Sequence, residues 1–117
     1  MSDLRVRTKQ FALRIVNLYS SLPKTTVAQV MGKQVLRSGT SVGAHYREAS
    51  RARSTAEYIS KIEVGLQELD ETTYWLELLQ ESEIVEQAKL ESLFQEGEEL
   101  TSILVACVKT AKQKQPR

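Results

Sequence analysis

Apolar residues recur at intervals of three and four along most of this chain, and that spacing predicts four helices. Leu4, Phe11, Ile15, Leu18 and Leu22 mark the first, over about residues 3–21, and Pro23 interrupts the pattern. The second, over about 24–51 with Pro23 or Thr25 at its start, carries Val27, Met31, Val35, Ser38, Val42, His45 and Ala49 on one face. Ser54 is placed to cap the third, over about 55–82, with Glu57 three residues on to complete a capping box. Its seam is Ile59, Ile62, Leu66, Leu69, Thr73 and Leu76. Leu90, Leu93, Gly97, Leu100, Leu104, Cys107 and Ala111 repeat as heptad positions in the fourth, over about 86–112, and the Lys/Gln-rich tail from Lys112 to Arg117 is expected to fray.

Short connections make successive helices antiparallel neighbours, so the expected fold is all-α, an antiparallel up-down-up-down four-helix bundle forming a single domain over residues 1–117. A turn near residue 53 or 54 puts positions that sum to about 107 at one level of the second and third helices. Gly43 then faces the neighbourhood of Val64 and Gly65, and Arg37 faces Asp70 and Glu71. Small residues meet small ones, and charge meets countercharge.

Arg37-Ser-Gly-Thr-Ser-Val-Gly-Ala44 is a run of small residues inside a helical pattern. Each helical glycine costs about 1 kcal/mol relative to alanine, a cost that close approach of another helix must outweigh. Gly32, Leu36, Gly39 and Gly43 form a stripe distinct from the Val27/Val35/Val42 face, and the Tyr74–Leu79 segment is apolar nearly all around its helix. One core cannot bury both surfaces. Gly32, Leu36, Gly39, Gly43, Tyr74, Trp75, Leu78 and Leu79 are therefore the expected contacts of a homo-oligomer.

The 117 residues carry a net charge of only +1, which hides a division. Residues 1–53 hold ten Lys/Arg against Asp3 and Glu48, whereas residues 54–117 hold six against thirteen Asp/Glu. Lys33, Arg37, Arg47 and Arg51 fall within about 80° on the second helix, opposite its apolar face. They form a basic stripe. Arg7 and Arg14 join it as candidate nucleic-acid contacts, and Arg5, Lys9, Lys24 and Arg53 are placed to extend it. Charge-complementary packing within or between subunits is the competing account. A single cysteine, no apolar run long enough to cross a bilayer and no apolar N-terminal leader lead to an expectation of a cytoplasmic protein with no membrane association.

Arg37-Ser-Gly-Thr-Ser-Val-Gly-Ala-His-Tyr-Arg-Glu-Ala49 and Glu68-Leu-Asp-Glu-Thr-Thr-Tyr-Trp-Leu-Glu-Leu-Leu79 resemble the four-helix bundle proteins encoded in 23S rRNA intervening sequences. That family is in turn similar to the accessory variability proteins of diversity-generating retroelements. Including the flanking helices, the resemblance spans nearly the whole chain, with His45 where the family usually has Asn. It implies a ring-like homopentamer and a nucleic-acid role, with a reverse transcriptase as partner in the retroelement branch.

No catalytic constellation accompanies these packing motifs. His45, the only histidine, lies on an apolar helix face, and Val42 stands where a di-iron Glu-x-x-His motif needs its carboxylate. Helical RNases that use Arg, four to six residues, then His are disfavoured, because seven residues separate Arg37 from His45. Cys107 reads as a small buried hydrophobe, and the Glu-rich segments as solvated faces. The sequence thus leads to a non-enzymatic, homo-oligomeric bundle without cofactor or metal that binds RNA or DNA or docks a nucleic-acid enzyme. A structural or protein-interaction module without nucleic-acid binding is the alternative.

Overall fold

A computed structural model describes residues 3–115. Four helices follow one another, α1 (Leu4–Ser21), α2 (Thr26–Ser50), α3 (Thr55–Glu81) and α4 (Gln87–Gln113), in a bundle of 52 × 22 × 22 Å. No strand occurs among the described residues. Three starts are capped by side chains that satisfy otherwise unpaired N–H groups: Asp3 accepts from Arg5 N–H, Thr25 from Ala28 N–H and Ser54 from Glu57 N–H. Pro23 does not begin α2 as expected. It stays in the loop, where its carbonyl accepts from Gln29 Nε2 at 2.8 Å, and the start passes to the residue after Thr25 because that hydroxyl supplies a cap.

α3 ends in a Schellman turn built without glycine. Ile84 N–H bonds to the Leu79 carbonyl and Glu83 N–H to the Gln80 carbonyl, both at 3.0 Å, with Glu83 at φ 63° in the left-handed region. The tail is more ordered than expected, since helix continues to Gln113 and Lys114 closes it; Pro116 and Arg117 lie outside the described residues.

The core draws on all four helices: Phe11 and Ile15 from α1, Val35, Val42 and Ala49 from α2, Ile62, Leu69, Leu76 and Leu79 from α3, and Leu90, Leu100, Leu104 and Val108 from α4. The levels of α2 and α3 match the expected register. Glu48 meets Lys61, Arg37 meets Glu68 and Glu71, and a Cβ added at Gly65 would touch Val42 and His45. Inside this interface the Ser38 and Thr72 hydroxyls are hydrogen-bonded at 2.9 Å, and Thr72 also donates to the Glu68 carbonyl.

Two faces are rotated from their expected orientation. The buried side of α2 runs through Ala28, Gly32, Val35, Ser38, Gly39, Val42 and Ala49, leaving Val27 59% exposed. The cause is α1, which lies against the glycine side and excludes Val27. In α4, Val108 takes the buried position expected of Cys107, which is half-buried.

That packing also corrects the expected oligomer contacts. An ideal Cβ on Gly32 would sit 2.6 Å from Leu22 Cδ1, and one on Gly39 2.7 Å from Ile15 Cγ1; on Gly43 it would lie 3.2 Å from Thr8 Oγ1. The glycine stripe is thus occupied by α1 of the same chain, with Leu36 half-buried against the core. Leu79 is fully buried within its own chain. Trp75 packs partly on the core, its ring edge-on to Tyr74 at a centroid distance of 5.2 Å. Of that expected set, Tyr74 remains 54% exposed, and Leu78 is half-buried.

Candidate nucleic-acid interface

Part of the long-range charge division is resolved inside the fold, through Arg7 and Arg37. Arg7 on α1 spans to α4, its Nε and Nη2 bonding the two oxygens of Glu96 at 2.8 Å, and Nη2 also reaches Glu99 at 2.7 Å. These bonds hold the Arg7 guanidinium even more firmly protonated than usual, with the Glu96 hydrogen bond as the largest cause. They matter because α1 and α4 otherwise touch little. Arg14, one helical turn pair further along α1, hydrogen-bonds to Ser92 Oγ.

Arg37 is similarly engaged. Nη1 bonds Glu68 Oε2 at 2.9 Å and Nη2 bonds Glu71 Oε1 at 2.8 Å. Burial pushes the Glu68 carboxyl up, but hydrogen bonds, Arg37 foremost among them, outweigh it and hold the group below its usual range. Asp70, an expected partner of Arg37, points elsewhere and is exposed. Arg7 and Arg37 therefore tie helices together, in place of the open phosphate contacts expected of them.

A different set of cations carries no ion pair among the described residues, and most of it gathers at one end of the bundle. Arg5, Lys9 and Arg47 line a cleft of about 520 Å³ between α1 and α2, whose floor is Thr8, Ala12, Gly43 and Ala44. The absence of a side chain at Gly43 and the single methyl of Ala44 leave room for the cleft. Arg47 continues into a second cleft of about 430 Å³ around the α2–α3 turn, shared with Arg51, Arg53 and Lys61. Two carboxylates intrude. Glu48 is neutralised by Lys61 at 2.9 Å, which pulls its carboxyl below the usual range, and Glu57 turns back to the Arg53 N–H.

Of the six expected contacts, the structure brings Arg47 and Arg51 together and separates the other four. Lys33 is exposed on α2 fourteen residues before Arg47, about 21 Å along the helix. Arg5, Lys9 and Arg53 take the places of Arg7, Arg14 and Arg37. The alternation along α1 explains the exchange: Arg5 and Lys9, four residues apart, share the side toward α2's small residues, while Arg7 points to α4.

His45 supports packing at this end. Its Cβ borders Gly65, and Nδ1 lies 3.4 Å from Glu48 without forming a hydrogen bond. No group of three His, Cys, Asp or Glu arranged to hold a metal occurs among the described residues. No helix is long and apolar enough to cross a membrane.

Beyond the α2–α3 turn lies a third cleft, of about 610 Å³, between the start of α3 and the end of α4. Tyr58, Ile103, Ala106, Cys107 and Ala111 form its floor, with Arg53 and Lys114 at its edge. Burial raises the Tyr58 hydroxyl to about 12, aided by its hydrogen bond with Cys107. The sequence reading missed this cleft, because Lys114 fell in a tail expected to fray and Cys107 in a core position.

With this geometry in place, the chain can be set beside known proteins. No curated protein matches it. A crystal structure of a protein of unknown function from the S23 ribosomal protein family of Bacteroides thetaiotaomicron superimposes with a TM-score of 0.86 at 42% identity, covering 92% of this chain and 99% of that one. The family model described as 23S rRNA-intervening sequence protein matches residues 3–106, which takes in all of α1 to α3 and most of α4. The chain belongs to the 23S rRNA-intervening sequence protein family.

Proposed function

We propose that this protein is a non-enzymatic, homo-oligomeric bundle that binds RNA or DNA through the cationic end formed by Arg5, Lys9, Arg47, Arg51 and Arg53. The supporting observation is the adjacency of two clefts that share Arg47, in which Arg5, Lys9, Arg47, Arg51 and Arg53 have no ion pair among the described residues while Lys61 is paired with Glu48. Guanidinium and ammonium groups left unpaired in this way are suited to phosphate oxygens, and their binding releases counterions from the nucleic acid.

Self-association is favoured by an exposed apolar row on α1, where Val6, Leu13 and Val16 are 52%, 54% and 38% exposed. Repeating a weak cationic site in each copy raises affinity through multivalency.

Fluorescence anisotropy of a labelled RNA across a salt series tests this reading. Affinity should fall steeply with salt, and the triple variant Arg47→Gln/Arg51→Gln/Arg53→Gln should bind at least about tenfold more weakly with an unchanged melting curve. Lys24→Gln/Lys89→Gln, at the far end, should bind as the parent does. Absence of binding at low salt, or affinity independent of salt, would overturn the proposal. Sedimentation at micromolar concentration should give a mass that is a multiple of the chain's; a monomer would remove the oligomeric part.

A further inference from the structure

The two basic clefts do not stop at the α2–α3 turn. Arg53 lies in the middle cleft and also at the edge of the third, so three depressions form a single track around this end of the bundle. It runs from the α1–α2 groove past Arg47, over Arg51 and Arg53, and into the space between α3 and α4. Seven cations line it (Arg5, Lys9, Arg47, Arg51, Arg53, Lys61 and Lys114) against two carboxylates, Glu48 and Glu57.

Chemistry changes along the track. The first two clefts are walled by cations and suited to a phosphate backbone. The last has an apolar floor with an aromatic ring, Tyr58, and no carboxylate in its lining. Its volume of about 610 Å³ lies in the range of small-ligand sites. A cationic path that ends in an apolar, aromatic cleft is the arrangement that unpaired nucleotides need, since phosphates follow the charges and an exposed base leaves water against a π face. A duplex cannot use it, because its bases are already stacked on one another.

We infer that the cleft between α3 and α4 receives an unpaired base of a single-stranded nucleic acid whose backbone crosses Arg47, Arg51 and Arg53. This rests on the nucleic-acid reading above and adds strand selectivity to it. A duplex has the higher charge density, so a purely electrostatic surface favours duplex; preference for a single strand has to come from the cleft.

The test compares a short fluorescein-labelled single-stranded RNA with a duplex of equal length, by anisotropy, on the full chain. Cys107 supplies a second readout at the cleft itself, as the only cysteine of the chain and a residue of its floor. The single strand should bind about tenfold or more tighter than the duplex and should slow alkylation of Cys107 by iodoacetamide. Tyr58→Leu keeps apolar volume and removes the π face, and should bring single-strand affinity down to the duplex level. Should that half-buried position fail to fold, Ala106→Leu does the same by filling the cleft from an exposed site.

If both RNA forms bind equally, with a steep salt dependence and Cys107 alkylated at its free rate, the cationic end stands and the base-receiving cleft is overturned. If neither form binds, both readings fall together.

Discussion

Replacing two glycines by alanine should move stability in opposite directions, and the structure states which goes which way. At Gly39 an added Cβ would lie 2.7 Å from Ile15 Cγ1 and 3.0 Å from Cγ2. Ile15 is fully buried and β-branched, with essentially one rotamer available in a helix, so it cannot swing aside. Relief must come from moving α1 away from α2. Overpacking costs about 1–3 kcal/mol, and against a side chain that cannot move the upper part of that range, about 2–3, applies; alanine's helix propensity returns about 1, which leaves a net loss of about 1–2 kcal/mol. At Gly65 the nearest atoms are His45 Cβ and the Val42 carbonyl, both at 3.9 Å, which is ordinary contact. There the propensity gain stands nearly alone, about 1 kcal/mol of stabilisation. For a domain of this size the two variants should melt about 4–8 °C below and about 4 °C above the parent. Far-UV circular dichroism reads this, at one fixed protein concentration so that any self-association contributes equally to each melt. Equal shifts in the same direction, or a Gly39→Ala variant as stable as the parent, would refute the claim that α1 fills the glycine stripe. An altered solution mass with unchanged melting would instead restore that stripe to an oligomer contact.

Two further outcomes follow from the charges. Arg37→Gln removes the countercharge of a carboxylate that is only 7% exposed, so stability near neutral pH should drop by about 1–3 kcal/mol in urea titrations, a range reduced because Arg37 itself is half exposed. Without Arg37, burial pushes the Glu68 carboxyl up, so the variant takes a proton there before the parent does and the deficit should shrink as pH falls through the ordinary carboxylate range; a deficit that persists into acid would show that packing was lost instead. At the alkaline side, burial raises the hydroxyls of both Tyr46 and Tyr58, the latter to about 12. A raised folded value means the unfolded chain ionises first, so stability is complete below the usual tyrosine range and falls as pH climbs from there toward 12. Phenolate absorbance should lose its last part on the alkaline side in the Tyr46→Phe and Tyr58→Phe variants, and an unchanged alkaline limb in both would be the contrary result.

Helix positions and the α2–α3 register were legible because both depend on local rules. Ser54 caps α3 whatever surrounds it, and apolar spacing identifies the inward face of α3 and α4 to within one residue. The face of α2 was not legible in the same way. Val27 and Gly32 both sit on repeating positions, and only the arrival of α1 decides that the glycine is covered and the valine left in solvent. A small residue is a gap, and a sequence does not say which neighbour fills it. The basic stripe failed for a related reason: a helical wheel places Arg37 and Arg47 within one sector, but α3 brings Glu68 to the first while α1 brings Arg5 and Lys9 toward the second.

Folding converts a division between halves of the chain into a polarity between ends of the molecule. An antiparallel bundle brings the start of α1, the end of α2, the start of α3 and the end of α4 to one end, and these carry Arg5, Lys9, Arg47, Arg51, Arg53, Lys61, Lys109, Lys112 and Lys114, offset by Asp3, Glu48, Glu57 and Glu63. The opposite end receives the α3–α4 connection with Glu77, Glu81, Glu83, Glu86 and Glu91, offset by Lys24, Lys33 and Lys89. Arg37, in the middle of the long axis, and Arg7, on the side of α1 turned to α4, meet carboxylates on a neighbouring helix and are absorbed into structure. Those at the basic end meet few, so they stay available. A field organised along a 52 Å axis steers an anionic partner to one tip of the bundle, away from its sides. Copies packed side by side through the exposed row of α1, with their axes aligned about a common rotation axis, would then gather every basic tip on one face, leaving the acidic tips on the other.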